Sequence, residues 1–341
     1  MNQKILSRGK LLNVYGNLEE AGYAKSLVKD YRRSDIKASG WRIKEWDYYY
    51  IGCSDFGIAL TIADNSYMGL GSVSLLDFKN KNFITKSVMK WFPFGKTNLP
   101  STSRIGDVSF KSKKLNIDFI NNGIKRTLKC HFSKFSKKID FDCEIDLVDE
   151  PQESMVIATP FEKKHHFYYN QKINCMRAKG KATFGGKVFN INPEDCFGTL
   201  DWGRGVWTYS NTWYWSSMSG EINGKKVGFN LGYGFGDTSK ATENMIFYDG
   251  LAYKTEEVTF HIPTKDGKDD FMSPWTFSSN DGAVDLKFTP ILNRRDNTNL
   301  LILKSDQNQV FGLFTGTLKF QDKVVEIENQ IGFAEKVTNR W

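Results

Sequence analysis

The fold is decided by three stretches that alternate polar and apolar residues: 109–120 (SFKSKKLNIDFI), 124–132 (IKRTLKCHF) and 136–147 (SKKIDFDCEIDL). Alternation with a period of two places apolar side chains on one face of a β-strand and polar side chains on the other. An Asn-Asn-Gly run at 121–123 separates the first two stretches, and Asn and Gly tolerate the positive φ of a tight hairpin. The region therefore predicts an antiparallel meander.

The same alternation continues on both sides of the meander. It returns upstream at residues 41–52, 56–65 and 67–78, and downstream at 310–320 and 324–337. The chain of 341 residues also holds 29 Gly, only 8 Pro and 14% aromatic residues, which favours strands and tight turns over helices. We predict an all-β fold of two lipocalin-like antiparallel β-barrels or strongly curved sheets packed together, with few helices.

One turn-rich break indicates how the chain divides. Residues 149–154 (DEPQES) split it into halves of similar size, each large enough for a barrel or a bent sheet. We expect an N-terminal β-barrel-like domain over residues 1–154 and a C-terminal one over 155–341. A short helix over residues 19–33 (EEAGYAKSLVKDYRR) is the exception to the β pattern.

The charge is basic but evenly spread. The chain has 47 Lys and Arg against 39 Asp and Glu, a net charge of +8. Its lysines alternate with apolar residues, as in 109–120, which is typical of the solvated face of a strand. We therefore expect no nucleic-acid partner and rank a basic surface for nucleic acid or anionic lipid last. No membrane span is expected, because no run approaches about 18 apolar residues.

Cysteine and histidine usage predicts neither a disulfide framework nor a metal site. The five cysteines are odd in number and form no Cys-x-x-Cys pair, which favours a reducing compartment. The N-terminal stretch lacks the apolar core of a signal peptide, so we expect a cytoplasmic protein. His165 and His166 are adjacent and would point to opposite sides of a strand. Phosphate-binding and serine-hydrolase motifs are also missing, and we expect no cofactor.

The residues richest in chemistry lie between 197 and 236. Asp201 and Arg204 sit among glycines, where the backbone can approach a ligand closely. Two interpretations stay open: a structural Asp201–Arg204 ion pair within a tryptophan core, or a carboxylate tuned by burial and by the guanidinium in an aromatic pocket. Trp213 and Trp215 share one strand face. We expect at least two of Trp202, Trp213 and Trp215 to line one cavity with Arg204.

A second polar cluster contains Glu243 and Asn244, which precede an apolar strand. They are either a general acid/base with an orienting amide or part of a solvated loop. Asp47 is a reserve acid. The predicted catalytic residues are Asp201, Glu243 and Arg204. The predicted substrate-binding residues are Trp202, Trp207, Tyr209, Trp213, Trp215, Asn244, Tyr233, Trp46 and His166.

Three segments carry a resemblance to a known family. Residues 41–52 (WRIKEWDYYYIG), 200–220 (LDWGRGVWTYSNTWYWSSMSG) and 228–250 (GFNLGYGFGDTSKATENMIFYDG) resemble DUF2804, a domain of unknown function. More distantly, the chain is similar to carotenoid 1,2-hydratase and AttH-type tandem lipocalin-like proteins. Asp201 matches the Asp of their Asp-His-x-Trp-Gly element, but Trp202 stands in place of the His. The resemblance implies two barrel-like halves with a ligand cavity, and relatives that add water, eliminate it or cyclise apolar substrates.

Two functions remain open. The first is a cofactor-independent enzyme, a hydratase or hydro-lyase, an isomerase or a glycoside-cleaving enzyme, acting on an apolar or glycosylated small molecule. Asp201 and Glu243 would then exchange protons, and Arg204 would hold or polarise the substrate. The alternative is a non-catalytic lipocalin-like carrier, which needs aromatic walls but no perturbed acid. Tryptophan faces suit sugar rings and polyenes alike.

Overall fold

The computed structural model of the protein describes residues 3–300 and 303–340, without the side chains of 298–304. Its strands pair antiparallel almost throughout. Within this part of the chain the helices are two single 3₁₀ turns, Arg33–Asp35 and Gly40–Arg42, and neither has the length or apolar character to cross a bilayer.

The first half of the fold is a curved 13-stranded sheet with a small parallel pair, β1 and β3, beside it. Its strands are β1 (Gly9–Lys10), β2 (Gly22–Ala24), β3 (Lys29–Asp30), β4 (Ile43–Gly52), β5 (Phe56–Asp64), β6 (Met68–Asp77), β7 (Asn82–Trp91), β8 (Val108–Lys111), β9 (Leu115–Asn121), β10 (Arg126–Ser136), β11 (Ile139–Val148), β12 (Met155–Pro160), β13 (Phe167–Phe184), β14 (Lys187–Ile191) and β15 (Phe197–Val206). The main path runs β7-β6-β5-β4-β15-β13-β11-β10-β9-β8 around one apolar core.

The second half is a nine-stranded sheet that curls around its own core, with a two-stranded hairpin at its side. Its strands are β16 (Ser210–Ile222), β17 (Lys225–Tyr233), β18 (Met245–Tyr248), β19 (Leu251–Lys254), β20 (Val258–His261), β21 (Thr264–Lys265), β22 (Lys268–Asp269), β23 (Trp275–Ser279), β24 (Val284–Leu300), β25 (Leu303–Phe320) and β26 (Lys323–Arg340). The order is β19-β18-β17-β16-β26-β25-β24-β23-β20. Two strongly curved half-barrels confirm the predicted fold class.

The two half-barrels pack face to face through what we call the intersheet layer. On β4, Tyr49 faces the first core, while Tyr48 and Tyr50 face the second sheet. The Tyr50 ring centroid lies 5.4 Å from that of Phe311 and 5.3 Å from that of Phe333. Because side chains alternate along a strand, β4, β13 and β15 each serve the first core with one face and the intersheet layer with the other.

Two local expectations meet a different arrangement. The predicted helix over residues 19–33 is wrong, because its backbone pairs with the sheet: Gly22 and Ala24 lie opposite Ala158 and Val156 of β12. Strand pairing with β12 here overrides the weak helix propensity of the segment. The chain passes from the first sheet to the second between β15 and β16, whereas the predicted boundary at 154/155 falls inside the first sheet, before β12.

A disulfide bond joins Cys53 to Cys196, 143 residues apart in the sequence. The β4–β15 pairing brings the two together, since Gly52 lies opposite Phe197. The prediction that the cysteines form no disulfide is therefore wrong for this pair. Spacing along the chain could not reveal a bond that depends on strand register.

Candidate functional site

The two faces of β15 separate the residues that the sequence placed together. Asp201 and Arg204 are three positions apart, so on a continuous strand their side chains point to opposite faces. The Arg204 guanidinium lies 2.9 Å from Asp47 inside the first half-barrel. Asp201 lies on the other face, 2.9 Å from Nζ of Lys172. The interpretation of an Asp201–Arg204 ion pair is wrong.

The tryptophans follow the same division. Trp202 is buried in the first core, where its ring centroid lies 4.2 Å from Cζ of Arg204. Trp213 and Trp215 lie on one face of β16, as predicted, and reach the intersheet layer. The expectation that two of the three line one cavity with Arg204 is therefore wrong, because the first sheet stands between Trp202 and the other two.

The glycines of β15 serve packing rather than a turn. A Cβ atom at Gly203 would lie 2.0 Å from a ring carbon of Trp46, and one at Gly205 would lie 2.4 Å from the backbone oxygen of Phe167. Glycine at these positions lets the Trp46 ring and the neighbouring strand approach β15 closely. The strand thus stays regular through the motif and presents Asp201 on its intersheet face.

We call Arg33, Glu45, Asp47 and Arg204 the arginine cluster. Arg204 is fully buried, and its terminal nitrogens donate to three backbone carbonyl oxygens at 2.7–2.8 Å besides pairing with Asp47. Glu45 lies beside it and forms an ion pair with Arg33. Burial raises the pKa of the Asp47 carboxyl, and the Arg204 guanidinium opposes the rise. The four residues are two guanidinium groups and two carboxyl groups, and the buried Asp64 carboxylate lies 4.0 Å from Arg33 at the margin of the cluster.

Asp201 anchors a second buried cluster, in the intersheet layer. Its carboxylate accepts a hydrogen bond from Nδ2 of Asn170 at 2.6 Å and pairs with Lys172, which lies directly opposite in the β13–β15 register. The Lys172 ammonium also lies 3.8 Å from the ring centroid of Trp215, on the second sheet. A cation over an indole face at this distance is a favourable contact. Lys172 therefore joins the two half-barrels at Asp201.

Two further carboxyl groups come from the second half-barrel. Glu335 on β26 accepts hydrogen bonds from Nε1 of Trp213 at 2.9 Å and Nε2 of Gln309 at 2.8 Å. Glu243 lies in the connection between β17 and β18 and is only 6% exposed. Among the described residues, no hydrogen bond or ion pair involves the Glu243 carboxyl group. Asp201, Lys172, Glu243 and Glu335 interact electrostatically with one another, and we call them the carboxyl cluster.

The electrostatics of the carboxyl cluster favour bound protons. Burial raises the pKa of Glu243, Lys172 and Lys254 oppose the rise, and Asp201 and Glu335 add to it. Burial also raises the pKa of Glu335, against the hydrogen bond from Trp213. Carboxyl groups that share a dry site cannot all ionise without strong repulsion. A cluster of this kind can store a proton and deliver it.

An aromatic wall borders the carboxyl cluster. Phe235 stands at its centre, with ring centroids 4.8 Å from Tyr168, 5.4 Å from Trp207 and 5.3 Å from Trp213. Trp46 extends the wall, 5.2 Å from Trp207 and stacked on Tyr168 at 6.0 Å. Burial, with a further contribution from Asp201, raises the pKa of Tyr168 well above its usual range. The wall thus places buried, mutually packed rings next to the carboxyl groups.

A family profile assigns the chain as a whole. The profile of a domain of unknown function, DUF2804, matches residues 2–341. The chain belongs to the DUF2804 family. No curated protein matches it significantly.

Solved structures extend the likeness of this DUF2804 protein at the level of fold. An AttH-like protein of Nitrosomonas europaea superposes with a TM-score of 0.53 at 10% identity, over 92% of this chain and 97% of that one. Kievitone hydratase of Nectria haematococca gives a TM-score of 0.46 at 11% identity, over 99% and 98%. CghA, solved with Sch210972, gives 0.44 at 10%, over 97% of each chain.

The remaining predicted residues of the DUF2804 protein lie apart from the carboxyl cluster. Asn244 is buried and bridges two backbone groups, which braces the connection that carries Glu243. Tyr233 stacks on Tyr214 at 4.4 Å on the face of β17 that serves the second core. Tyr209 is 46% exposed. His166 lines a surface groove of about 270 Å³.

The predicted site residues of this DUF2804 protein did not include Lys172, Glu335 or Asn170. A signal exists, since residues 167–175 (FYYNQKINC) place polar residues at every second position of an apolar strand. That pattern marks a buried polar face, but only the register shows that it faces Asp201. Within the described residues, no three His, Cys, Asp or Glu side chains gather to hold a metal ion.

Proposed function

We propose that this DUF2804 protein is a cofactor-independent enzyme that performs acid–base chemistry on an uncharged, apolar small molecule in the intersheet layer. The observation that carries the proposal is the imbalance of the carboxyl cluster: three buried carboxyl groups and one ion-paired lysine beside an aromatic wall. A carrier would need the wall alone. Burying three carboxyl groups costs free energy that ligand packing does not require, so the cluster favours catalysis.

Each carboxyl group has a distinct role in the proposal. Glu243 is the proton donor, because burial raises the pKa of its carboxyl group and no hydrogen bond from a described residue favours the ionised form. Asp201 is the proton acceptor, fixed in place by Asn170 and Lys172. Glu335 orients the Trp213 ring by accepting its indole N–H. A matched donor and acceptor on facing sheets is an arrangement suited to addition, elimination or isomerisation.

Addition of water to a carbon–carbon double bond would use Glu243 and Asp201 in turn. Glu243 gives its proton to one carbon, and a water molecule bonds to the other through its oxygen. Asp201 takes one proton from that water, which leaves a hydroxyl group on the product. The proton then returns from Asp201 to Glu243 through solvent, and elimination is the same sequence in reverse. Arg204 has no part in this scheme, because its donors are used within the first half-barrel.

A screen of uncharged unsaturated and aromatic compounds tests the proposal. Wild-type protein should convert a compound with gain or loss of the mass of one water, or isomerise it, as followed by liquid chromatography and mass spectrometry. Glu243→Gln preserves size but removes the proton, so the rate should fall by about 10²–10⁴-fold. Glu326→Gln, an exposed position on the same strand as Glu335, is the matched control and should keep full activity.

The possible outcomes separate the two functions. If a compound binds wild type and Glu243→Gln equally and neither protein converts it, the carrier function is correct. If Asp201→Asn and Glu243→Gln both convert the substrate at the wild-type rate, the acid–base proposal fails. A readout without substrate is the infrared carbonyl band of a protonated carboxyl group at neutral pH, which should be present in wild type and diminished in Glu243→Gln.

A further inference from the structure

An exposed aromatic patch lies at the β7 edge of the first sheet. We define the aromatic patch as Trp41, Met89, Trp91, Phe92 and Phe94, whose exposed fractions range from 40% to 66%. The rings touch one another: Trp41 lies 4.8 Å from Phe94 and 5.9 Å from Phe92, and Trp91 lies 6.2 Å from Phe92. Contiguous exposed apolar surface of this kind marks an interaction site rather than ordinary surface.

The loop after β7 holds these side chains out in water. Phe92 and Phe94 have φ values of +57° and +47°, a backbone region that bulky residues rarely occupy. The fully buried Asp64 carboxylate accepts hydrogen bonds at 2.9 Å from the Gly95 N–H and the Thr97 hydroxyl. Buried polar anchors therefore fix a loop whose apolar residues stay exposed, so the exposure is part of the fold.

Positive charge is concentrated in the part of the chain that carries the aromatic patch, so the expectation of an even spread is wrong here. Residues 79–114 contain nine Lys or Arg and one Asp, a net charge of +8. Lys86 and Lys90 are exposed on the face of β7 opposite Met89 and Trp91, and Lys96 is exposed on the loop that follows. Tryptophan rings settle at the boundary between lipid headgroups and acyl chains, and lysines are attracted to anionic headgroups.

We propose that the aromatic patch docks the protein on the surface of an anionic lipid bilayer. The rings of Trp41, Trp91 and Phe92 enter the headgroup region, while the lysines contact anionic headgroups and no segment crosses the membrane. Single-stranded nucleic acid is the alternative partner, since bases stack on exposed rings, and binding of single-stranded DNA in place of anionic vesicles would overturn the proposal. The proposal concerns a surface and does not rest on the chemistry proposed above.

Contacts lead from the aromatic patch towards the aromatic wall. The Phe92 N–H donates to the Tyr67 backbone oxygen at 2.9 Å, and the Tyr67 hydroxyl lies 3.2 Å from Nζ of Lys44. That ammonium lies 5.8 Å from the ring centroid of Trp207, a member of the wall. Tyr67 and Lys44 thus connect the aromatic patch to the aromatic wall.

Vesicle flotation of the full chain tests the docking. The protein should float with vesicles of equal parts phosphatidylcholine and phosphatidylglycerol, less so at high salt, and weakly with pure phosphatidylcholine. The double variant Trp91→Ala, Phe92→Ala should lower the partition coefficient at least roughly tenfold, because the two rings that would be buried in the bilayer are lost. The control Tyr15→Ala, Ile124→Ala removes side chains that are 72% and 87% exposed elsewhere and should bind like wild type.

A second pair of variants separates local charge from net charge. Replacing Lys86, Lys90 and Lys96 together by Gln should weaken binding by roughly fivefold per lysine. Replacing Lys265, Lys268 and Lys319 by Gln removes the same charge from the second half-barrel and should change binding little. These positions are all exposed, and thermal melting confirms that each variant is folded.

Three further results would overturn the proposal. The first is no flotation with anionic vesicles at low salt. The second is equal loss of binding in the two lysine variants, which would mean that net charge alone drives the association. The third is a dimer in sedimentation velocity that dissociates in Trp91→Ala, Phe92→Ala while vesicles are not bound, since the aromatic patch would then contact a second copy of the chain.

Discussion

The arginine cluster and the carboxyl cluster lie back to back on the two faces of the first sheet, and they differ in charge balance rather than in burial. In the arginine cluster, Arg33 and Arg204 face Glu45 and Asp47. In the carboxyl cluster, three carboxyl groups share Lys172, whose ion pair is with Asp201, while Lys254 acts on Glu243 without an ion pair between them. Burial of polar groups therefore does not distinguish the two clusters, whereas the pairing of their charges does.

Physical chemistry explains why the imbalance matters. Removing one partner of a buried ion pair lowers the free energy of unfolding, because the other charge is left buried without a counterion. A buried carboxyl group without its own cation takes up a proton instead, which makes it a potential acid. Arg204 thus has partners within the first half-barrel, whereas the proposed function assigns proton transfer to Glu243. Four substitutions test this contrast, from the largest expected effect to the smallest.

Arg204→Met should destabilise the protein most. It leaves Asp47 buried without its cation and removes donors from three carbonyl oxygens. We expect a loss of about 3–5 kcal/mol in the free energy of unfolding, measured with guanidinium chloride. Arg295→Met, which removes an exposed pair with Asp306, is the control and should cost less than about 1 kcal/mol. Full stability with lost activity in Arg204→Met would instead place Arg204 in the site.

Lys172→Met should have a smaller effect. Asp201 keeps its hydrogen bond from Asn170, whereas its ion pair and the contact of the ammonium with the Trp215 ring are lost. We expect a loss of about 1–3 kcal/mol in the free energy of unfolding, measured with guanidinium chloride. Lys125→Met, at an exposed pair with Asp146, provides the comparison and should cost less than about 1 kcal/mol. Equal losses in the two variants would show that the buried pair does not help to join the half-barrels.

Glu243→Gln should flatten the pH dependence of stability. A raised pKa means that folded Glu243 keeps a proton that the unfolded chain releases above its usual pKa of about 4.3. The wild-type free energy of unfolding therefore falls as pH rises from about 4.3 to the raised pKa, by about 1.4 kcal/mol for every pH unit between the two values. The amide of the variant has no proton to lose, so its free energy of unfolding should fall less over the same pH range. Parallel pH profiles would contradict the burial of a protonated Glu243.

Tyr209→Ala sets the baseline. Tyr209 lies in the sequence between β15 and β16 but belongs to neither cluster, and the Arg42 guanidinium lies 5.9 Å from its ring centroid at the surface. We expect the free energy of unfolding, followed through the midpoint of thermal unfolding, to change by no more than about 0.5 kcal/mol. A larger loss would show that the connection between the half-barrels contributes to their packing.

Sequence patterns predicted the elements of this fold well, because alternation reports directly on burial. The meander at β9, β10 and β11 forms with the turn after Asn121 as expected. The shared face of Trp213 and Trp215 is confirmed by their contacts in the intersheet layer, to Glu335 of the same sheet and to Lys172 of the facing sheet. These inferences need only the period of a strand.

The composition of the site was harder to predict, for two physical reasons. Glycines around Asp201 suggested an irregular stretch, whereas Gly203 makes room for the Trp46 ring and leaves the strand straight. Once the strand is continuous, spacing alone separates Asp201 from Arg204. Partners such as Lys172 and Glu335 come from distant strands, and their proximity depends on register, which local pattern does not encode.

The pairing of β4 with β15 has a consequence for biosynthesis. On the ribosome, β4 emerges long before the strand that completes its pairing, since Cys53 and Cys196 at their ends are 143 residues apart. At about 5–20 residues per second, the nascent chain carries the unpaired YYYI edge of β4 for roughly 7–30 seconds. Aromatic and β-branched strands with open edges are prone to aggregate. A fragment ending at residue 154 would keep that edge permanently, so the shortest N-terminal fragment that pairs the whole of this edge extends through Val206.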